Sequence, residues 1–367
     1  MGKENKDNRI TTYLIGAGAS ANSLPIVNNY SDKICEFLIY LQNHEIYEDR
    51  KKEIDQICDD FNWLIKRIKT TIDSLAKSFY ASKEIEHLNK VKKLLAFYFN
   101  VEQVRFPIDQ RYLRFFNRIW LNKKSHLINN RIRFINWNYD FQVEMALAML
   151  AEYSNNFHST DLQRQCLPST LPLYEDSIQP NYYNNFAVNQ FSLCHLNGAC
   201  YCHKYDDRIV RHVQATMAPL PFNLIFNPFE IKNKSINEIL LAQIFNYSDL
   251  LNRKGHSTAI EFAWETPVND RPPNNIKNKV FDKAIEATKE TEFLVVIGYS
   301  FPADNLDFDK TIISKMIKLK KIYFQDMDPG KVQNKFIKIF PELERSQFVL
   351  AKAIDDFVIP SEYGQFC

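Results

Sequence analysis

The sequence predicts an α/β fold built on a parallel sheet, and two observations support this. First, five short apolar runs are spread over the 367 residues, and each has the length of a strand buried on both faces. These runs are residues 13–15, 132–135, 191–196, 293–297 and 322–324. Second, small or polar residues follow every run at once, as expected where open α/β sheets bind ligands, at the carboxyl ends of their strands. If the five ends converge, they form one cleft.

The first run leads into a glycine-rich bend. Gly16, Ala17 and Gly18 are followed by Ser20 and Ala21, in the spacing Gly-x-Gly-x-x-Ala. This is a permitted variant of the dinucleotide-binding fingerprint. Gly16 and Gly18 allow a sharp turn and a close ligand approach, with N–H groups free to meet an anion. The bend therefore predicts a phosphate contact, in which Ser20 either takes part or only caps the following helix.

The segment after the bend, about residues 31–126, predicts a large helical insertion, because its apolar residues recur near the helical period. An NAD-dependent dehydrogenase normally has a second strand that ends in an acidic residue about 20 residues after the glycines. The sequence continues there as helix, so this class is disfavoured. The lysine and Ser/Thr of a P-loop are missing as well, which excludes an ATPase of that class.

We predict a single domain over residues 1–367. Its sheet core covers about residues 8–30, 127–150, 190–205 and 280–350, with irregular or partly helical insertions at about 151–189 and 206–279. In the second insertion, "SINEILLAQIF" and "TAIEFAW" are predicted as helices. The first insertion is a candidate lid or docking site.

Composition excludes several functional classes. The formal net charge is +2, with 46 basic and 44 acidic residues, so no global field favours nucleic acid or a membrane surface. The polar N-terminus lacks the apolar core of a signal peptide, and the apolar runs are too short to span a bilayer. The odd number of cysteines, seven, fits reduced thiols better than disulfides. We therefore expect a cytoplasmic protein without direct nucleic-acid or membrane partners.

Four motifs follow predicted strands in chain order. They are Gly16-Ala17-Gly18-Ala19-Ser20 followed by Leu24-Pro25, then Asn136-Trp137-Asn138-Tyr139-Asp140, then Leu196-Asn197-Gly198, and then Gly298-Tyr299-Ser300. Together they resemble the sirtuin-like domain in its bacterial defence branch, over residues 11 to about 330. The resemblance implies a Rossmann-like parallel sheet flanked by helices, with NAD as the substrate.

The resemblance also implies roles for individual residues. The glycine bend contacts the phosphates of the dinucleotide, and Asn138 and Asp140 face the nicotinamide ribose. Gly298 and Ser300 match the loop that contacts the phosphate and adenosine side. Asp326 falls where the family binds the adenine ribose, and a carboxylate can accept hydrogen bonds from both ribose hydroxyls.

The chemistry of NAD hydrolysis fits an amide and a carboxylate two residues apart. Nicotinamide leaves as a neutral molecule from a positively charged ring, so the leaving group needs no general acid, unlike that of an ordinary glycoside. The site must instead orient the ribose, stabilise its oxocarbenium-like state and hold a nucleophile. Asn138 could position the water, and Asp140 could orient the ribose or Asn138 itself. Both residue types are also common helix caps, so a purely structural role stays open.

The third motif departs from the family pattern, which places a histidine immediately before the glycine. This chain has Asn197 there, and His195 lies two residues earlier on the same side of the strand. Three interpretations stay open. Asn197 replaces the histidine as a hydrogen-bonding group, His195 acts as the base, or the site binds a nucleotide without turning it over.

The zinc ribbon of the family's protein deacylases is missing, because Cys194, Cys200, Cys202 and His203 crowd together without a second cysteine pair downstream. We expect free thiols and no metal, and a protein deacylase is the least favoured alternative.

The sequence therefore predicts an NAD+ hydrolase that releases nicotinamide and ADP-ribose. The resemblance implies NAD depletion in anti-phage defence, with the enzyme inactive until a partner or ligand signals infection. We expect a homo-oligomer or a complex with a regulatory protein. Argonaute-like proteins, HerA-like ATPases and nucleotide-processing enzymes are such partners within the family. The main alternative is a sensor or scaffold subunit that binds NAD or ADP-ribose with little catalysis.

Overall fold

A computed structural model of the chain describes residues 9–24, 30–119, 130–152, 166–168, 188–205, 208–211, 235–249, 252, 256–265, 276–343, 347–352 and 355–363. The strands are β1 (Ile10–Ile15), β2 (Ile132–Asn136), β3 (Cys166–Pro168), β4 (Ser192–His195), β5 (Cys202–Tyr205), β6 (Arg208–Arg211), β7 (His256–Thr258), β8 (Thr291–Ile297), β9 (Lys321–Gln325) and β10 (Phe348–Ala351). The helices are α1 (Tyr30–Asn43), α2 (Lys51–Ile65), α3 (Ile72–Ala81), α4 (Ile85–Arg105), α5 (Gln110–Ile119), α6 (Gln142–Glu152), α7 (Ile236–Ser248), α8 (Ile276–Thr288), α9 (Leu306–Ser314) and α10 (Pro329–Ile339).

Seven strands form one sheet in the order β10-β9-β8-β1-β2-β4-β3, and every neighbouring pair is parallel. The five strands predicted from apolar runs lie next to one another within it, which confirms an α/β fold with a parallel sheet. Because the strands are parallel, their carboxyl ends meet at one edge. After β1, the chain adds β2, β3 and β4 on one side of β1 and then β8, β9 and β10 on the other side. The direction of strand addition therefore reverses between β1 and β8. Such a switch point is where open α/β sheets bind ligands.

Helices cover both faces of the sheet. Alternate strand residues point to opposite faces, so Tyr13 packs in one core and Leu14 in the other. The first core lies under α1 to α7, and the second under α8, α9 and α10. Every residue of β2 is buried, as expected of a central parallel strand covered on both sides.

Five helices, α1 to α5, separate β1 from β2, and no strand lies between them in the described part of this segment. This agrees with the missing second strand that argued against a dehydrogenase. The helix predicted in "SINEILLAQIF" is confirmed as α7, which starts with a capping box formed by Ser235 and Glu238.

Two features of the sheets were not predicted. β10 forms one edge of the sheet, and β5, β6 and β7 form a separate antiparallel sheet. The helix predicted in "TAIEFAW" was wrong, because β7 ends at Thr258 and only a short 3-10 turn, Ala263–Glu265, follows. Most of the predicted excursion at 151–189 lies outside the described residues. No described helix combines the length and apolar character needed to cross a membrane.

A carboxyl group is buried inside the second core. Asp309, on α9, is 1% exposed. Its two oxygens accept hydrogen bonds from Trp137 Nε1 at 3.1 Å and from the Tyr299 hydroxyl at 2.7 Å. Trp137 and Tyr299 follow β2 and β8, and their rings stack at 6.2 Å. Burial raises the pKa of Asp309 to about 8, although the two hydrogen bonds and the charge of Lys335 lower it in part.

We expect the free energy of unfolding to fall as the pH rises from 5 to 8, because of Asp309. Between the ordinary pKa of 3.8 and the folded value near 8, only the folded state holds the proton. The free energy of unfolding therefore falls with rising pH, by up to about 1.4 kcal/mol per pH unit. Denaturant unfolding at pH 5 and pH 8 measures this fall, which should be smaller in Asp309→Asn. Equal falls in the two proteins would contradict the assignment.

Candidate functional site

The turns after β1 and β8 lie against each other at the carboxyl edge of the sheet. The Gly16 N–H donates to the Ile297 carbonyl and the Gly18 N–H to the Gly298 carbonyl, both at 3.0 Å. A Cβ on Gly298 would lie 2.4 Å from the Ala19 nitrogen, and its φ of +56° is in the left-handed region that favours glycine. A Cβ on Gly16 would lie 2.5 Å from the Gly298 oxygen, and one on Gly18 would lie 2.7 Å from the Gly298 Cα. Contact between the two turns thus requires glycine at all three positions.

The expectation that the Gly16 and Gly18 N–H groups are free for an anion was wrong, because both donate to carbonyl groups of the protein. Ala17 and Gly18 are partly exposed, whereas Gly16 and Ser20 are buried. A ligand above this edge would therefore touch the turn at Ala17 and Gly18.

Asn138 joins the loop after β2 to the glycine turn. Its Nδ2 donates to the Gly16 carbonyl at 3.0 Å, and its backbone N–H donates to Asn136 Oδ1 at 2.9 Å. A carbonyl can only accept, so this bond fixes the orientation of the carboxamide. Within the described chain, no donor reaches Asn138 Oδ1.

Asn197 is held in a similar way after β4. Its Nδ2 donates to the Trp137 carbonyl at 3.2 Å, which again fixes the orientation of the carboxamide. Its Oδ1 is buried, and the described residues offer it no hydrogen-bond partner. A buried acceptor without a donor is costly, and a ligand that brings a donor would satisfy it.

Asp140 is buried beside the glycine turn and has a structural role as well. Its Oδ1 accepts a hydrogen bond from the N–H of Gln142, the first residue of α6, at 3.2 Å. Burial raises the pKa of Asp140 to about 6, while the Gln142 N–H, the nearby Ser20 hydroxyl and the charge of His195 lower it in part. Asp140 therefore supports the start of α6 and changes charge near neutral pH.

Ser20 points into the protein rather than toward the open edge. Its Oγ lies 3.2 Å from the Tyr112 hydroxyl, and both side chains are buried. Ser20 thus links the glycine turn to α5.

His195 is 0% exposed and pairs with a buried carboxylate. Its Nε2 lies 2.9 Å from Glu144 Oε1, and its Nδ1 lies 3.3 Å from the Asn138 carbonyl. Burial lowers the pKa of His195, but the charge and hydrogen bond of Glu144 and the Asn138 carbonyl outweigh this effect, so the pKa is raised. His195 therefore supports the loop that carries Asn138 and has no surface to offer a substrate.

The remaining predicted residues lie on the other side of the switch point. Ser300 is exposed after β8. Asp326 follows β9, is half-buried, and accepts a hydrogen bond from the Asp328 N–H at 3.1 Å. The Gly298 N–H donates to the Gln325 carbonyl, so the ends of β8 and β9 are adjacent.

Cys194 and Cys200 are buried and form no disulfide, and burial raises the pKa of Cys194 to about 12. The side chains of Cys202 and His203 lie outside the described residues. Elsewhere in the described ranges, no cluster of His, Cys, Asp and Glu could hold a metal ion.

Sequence reasoning missed three residues behind the site. Glu144 pairs with His195, Tyr112 contacts Ser20, and Arg111 donates to the glycine turn. Arg111 and Tyr112 lie on α5, about 90 residues from the turn they support. Their apolar neighbours predicted only a core-facing helix, and no local pattern identifies these contacts.

Substitution of Gly298 should destabilise the fold strongly. In Gly298→Ala, the left-handed φ alone costs about 1–2 kcal/mol, and the clash with the glycine turn adds to this. Gly330→Ala is the matched control, because the nearest atom to its added Cβ is 3.7 Å away. Its stability should be unchanged or up to about 1 kcal/mol higher. Denaturant midpoints measure both variants, and equal midpoints would show that the two turns are not in contact.

Removal of one member of the His195–Glu144 pair should destabilise the protein more than removal of both. His195→Gln leaves the buried Glu144 carboxylate without its charge partner, which should cost about 3–5 kcal/mol. The double variant with Glu144→Gln removes that isolated charge, so part of the stability should return. A double-mutant cycle by denaturant unfolding measures the coupling energy, and a value near zero would contradict the ion pair.

Neither the comparison with models of known protein families nor the search of curated proteins found a match for this chain. The function is therefore argued from the geometry of the site and from the motif resemblance.

Proposed function

We propose that this protein is an NAD+ hydrolase that cleaves the nicotinamide–ribose bond at the carboxyl edge of its sheet. One observation carries the proposal. The carboxamide of Asn138 is anchored on the glycine turn and that of Asn197 on the neighbouring loop after β2, and no described residue donates to the oxygen of either. This edge also contains the switch point between β1 and β8, where such sheets bind ligands.

In the proposed reaction, a water oxygen attacks C1′ of the ribose. The bond from C1′ to the nicotinamide nitrogen breaks, its electron pair neutralises the ring, and one proton is released. Asn138 Oδ1 accepts a hydrogen bond from the water, since its Nδ2 is already held by Gly16. The ionised Asp140 stabilises the positive charge that develops on the ribose.

Asn197 is the better candidate than His195 for the group that replaces the family's histidine. His195 is enclosed and paired with Glu144, whereas no described residue donates to Asn197 Oδ1. We propose that Asn197 hydrogen-bonds a ribose hydroxyl, which orients the sugar without transferring a proton.

The biological role that we propose follows the resemblance to the sirtuin-like defence branch. There the enzyme would deplete NAD during phage infection, as a homo-oligomer or with a regulatory partner of the Argonaute-like, HerA-like or nucleotide-processing kind. Asn197 Oδ1 has no exposed surface in this conformation. Substrate would reach it only after neighbouring residues move, which favours a regulated enzyme.

A sensor or scaffold that binds NAD or ADP-ribose is the second candidate, and the enclosed His195 favours it. Without an accessible base, a site of this kind can hold a nucleotide and leave it intact. A protein deacylase remains the least favoured.

Nicotinamide release from NAD+ by the purified protein tests the proposal, with and without lysate from phage-infected cells. Asn138→Ala and Asn197→Ala should each lower the rate by about a hundredfold or more. Asn89→Ala, on the exposed surface of α4, is the matched control and should keep the wild-type rate. Because the pKa of Asp140 is raised to about 6, release should rise with pH through that value, and Asp140→Asn should abolish the rise.

NAD+ binding measured in parallel separates the alternatives. Binding without turnover under any condition would select the sensor. The absence of both binding and turnover, with and without the lysate, would overturn both candidates.

A further inference from the structure

Helix α5 lies behind the glycine turn and carries an arginine that the proposed reaction does not use. Arg111 is 6% exposed. Its Nη2 donates to the Ala19 carbonyl at 3.0 Å and lies 3.5 Å from the Gly18 oxygen. The guanidinium therefore contacts the turn at its buried residue Ala19, whereas Ala17 is partly exposed.

A buried carboxylate fixes the position of this guanidinium. Arg111 Nε lies 3.0 and 3.1 Å from the two oxygens of Asp109, and Nη2 lies 2.5 Å from the second one. The Asp109 N–H donates to Gln142 Oε1 at 2.9 Å. Gln142 begins α6 and also bonds to Asp140. Arg111 thus connects the glycine turn to the helix start that holds the Asp140 carboxylate.

An aromatic ring from the C-terminal segment, residues 355–359, covers the guanidinium of Arg111. The Arg111 guanidinium lies 5.3 Å from the ring centre of Phe357, which is itself buried. Phe357 packs edge-on against Tyr112 at 4.8 Å. The guanidinium is therefore held by a carboxylate, by backbone carbonyls and by an aromatic face, so it has little freedom to move.

The chemistry requires arginine and not merely a positive charge. A guanidinium has five donors in one plane, which can bond the carboxylate and the carbonyls at the same time. A lysine in this place would keep the charge but could not maintain all of these bonds. The glycine turn would then lose a support on its buried side.

We propose that Arg111 is a positioning residue of the nucleotide site. It holds the backbone of the glycine turn in one conformation, and through this it determines how well the turn accepts the substrate. It does not touch the reacting atoms. The expected effect of Arg111 on NAD+ affinity rests on the proposed function. Its effect on the conformation of the glycine turn does not.

Arg111→Lys tests the proposal, and Arg133→Lys is the matched control. Arg133 is also buried and donates to backbone carbonyls, those of Ala287, Asn130 and Ile132, but it lies on β2 away from the glycine turn. Amide hydrogen exchange in a peptide covering residues 13–24 measures how readily the glycine turn opens, and denaturant unfolding measures the global stability. NAD+ affinity by calorimetry and KM and kcat for nicotinamide release report the site.

In Arg111→Lys, exchange in residues 13–24 should quicken, and NAD+ affinity should fall about tenfold with a smaller change in kcat. Arg133→Lys should lower stability without either effect. Phe357→Leu is a milder second variant, which removes the ring from the guanidinium and should change both readouts in the same direction.

Unchanged exchange and affinity in folded Arg111→Lys would overturn the proposal. If Arg111→Lys does not fold, unchanged readouts in Phe357→Leu would overturn it instead. Absence of NAD+ binding in the wild-type protein would be a failure of the proposed function. The exchange comparison would then still decide whether Arg111 holds the turn.

Discussion

The turns after β1 and β8 can meet only because no Cβ stands between them. Gly16, Gly18 and Gly298 place two backbones in direct contact, and two N–H groups of the first turn donate to carbonyls of β8 and its turn. This contact joins the strands on either side of the switch point. It also uses donors that a phosphate would otherwise occupy. These two N–H groups are therefore not available to a ligand at this edge, and side chains from the neighbouring loops would have to contribute to its recognition.

Each of those loops is held from behind by a buried polar or charged group. Arg111 holds the glycine turn, the His195–Glu144 pair holds the loop after β2, and Asp309 joins that loop to the turn after β8. Buried charges are costly unless they are paired and hydrogen-bonded. Their concentration just below one edge of the sheet is explained if these loops must keep one geometry.

The groups that hold the loops are themselves hydrogen-bonded or ion-paired, whereas no described residue donates to Asn138 Oδ1 or Asn197 Oδ1. Anchoring the amide nitrogen of each asparagine leaves its oxygen in a fixed direction before any ligand arrives. Such preorganisation would suit the proposed reaction, in which bond cleavage depends on orientation and charge stabilisation more than on proton transfer.

The sequence by itself determined the central strands and the bend after the first of them. A parallel strand buried on both faces has a continuous apolar run, so β1, β2 and β8 are visible in the sequence without knowledge of their partners. The edge strand β10 has a weaker pattern, because three of its residues are only partly buried and Leu350 is exposed.

Only the tertiary structure decided what the site residues contact. The sequence placed His195 near the site, but its burial against Glu144 depends on α6 packing beside β4. Arg111 reaches the glycine turn across about 90 residues of chain. Such contacts arise from the packing of elements that are distant in the sequence, so local periodicity does not predict them.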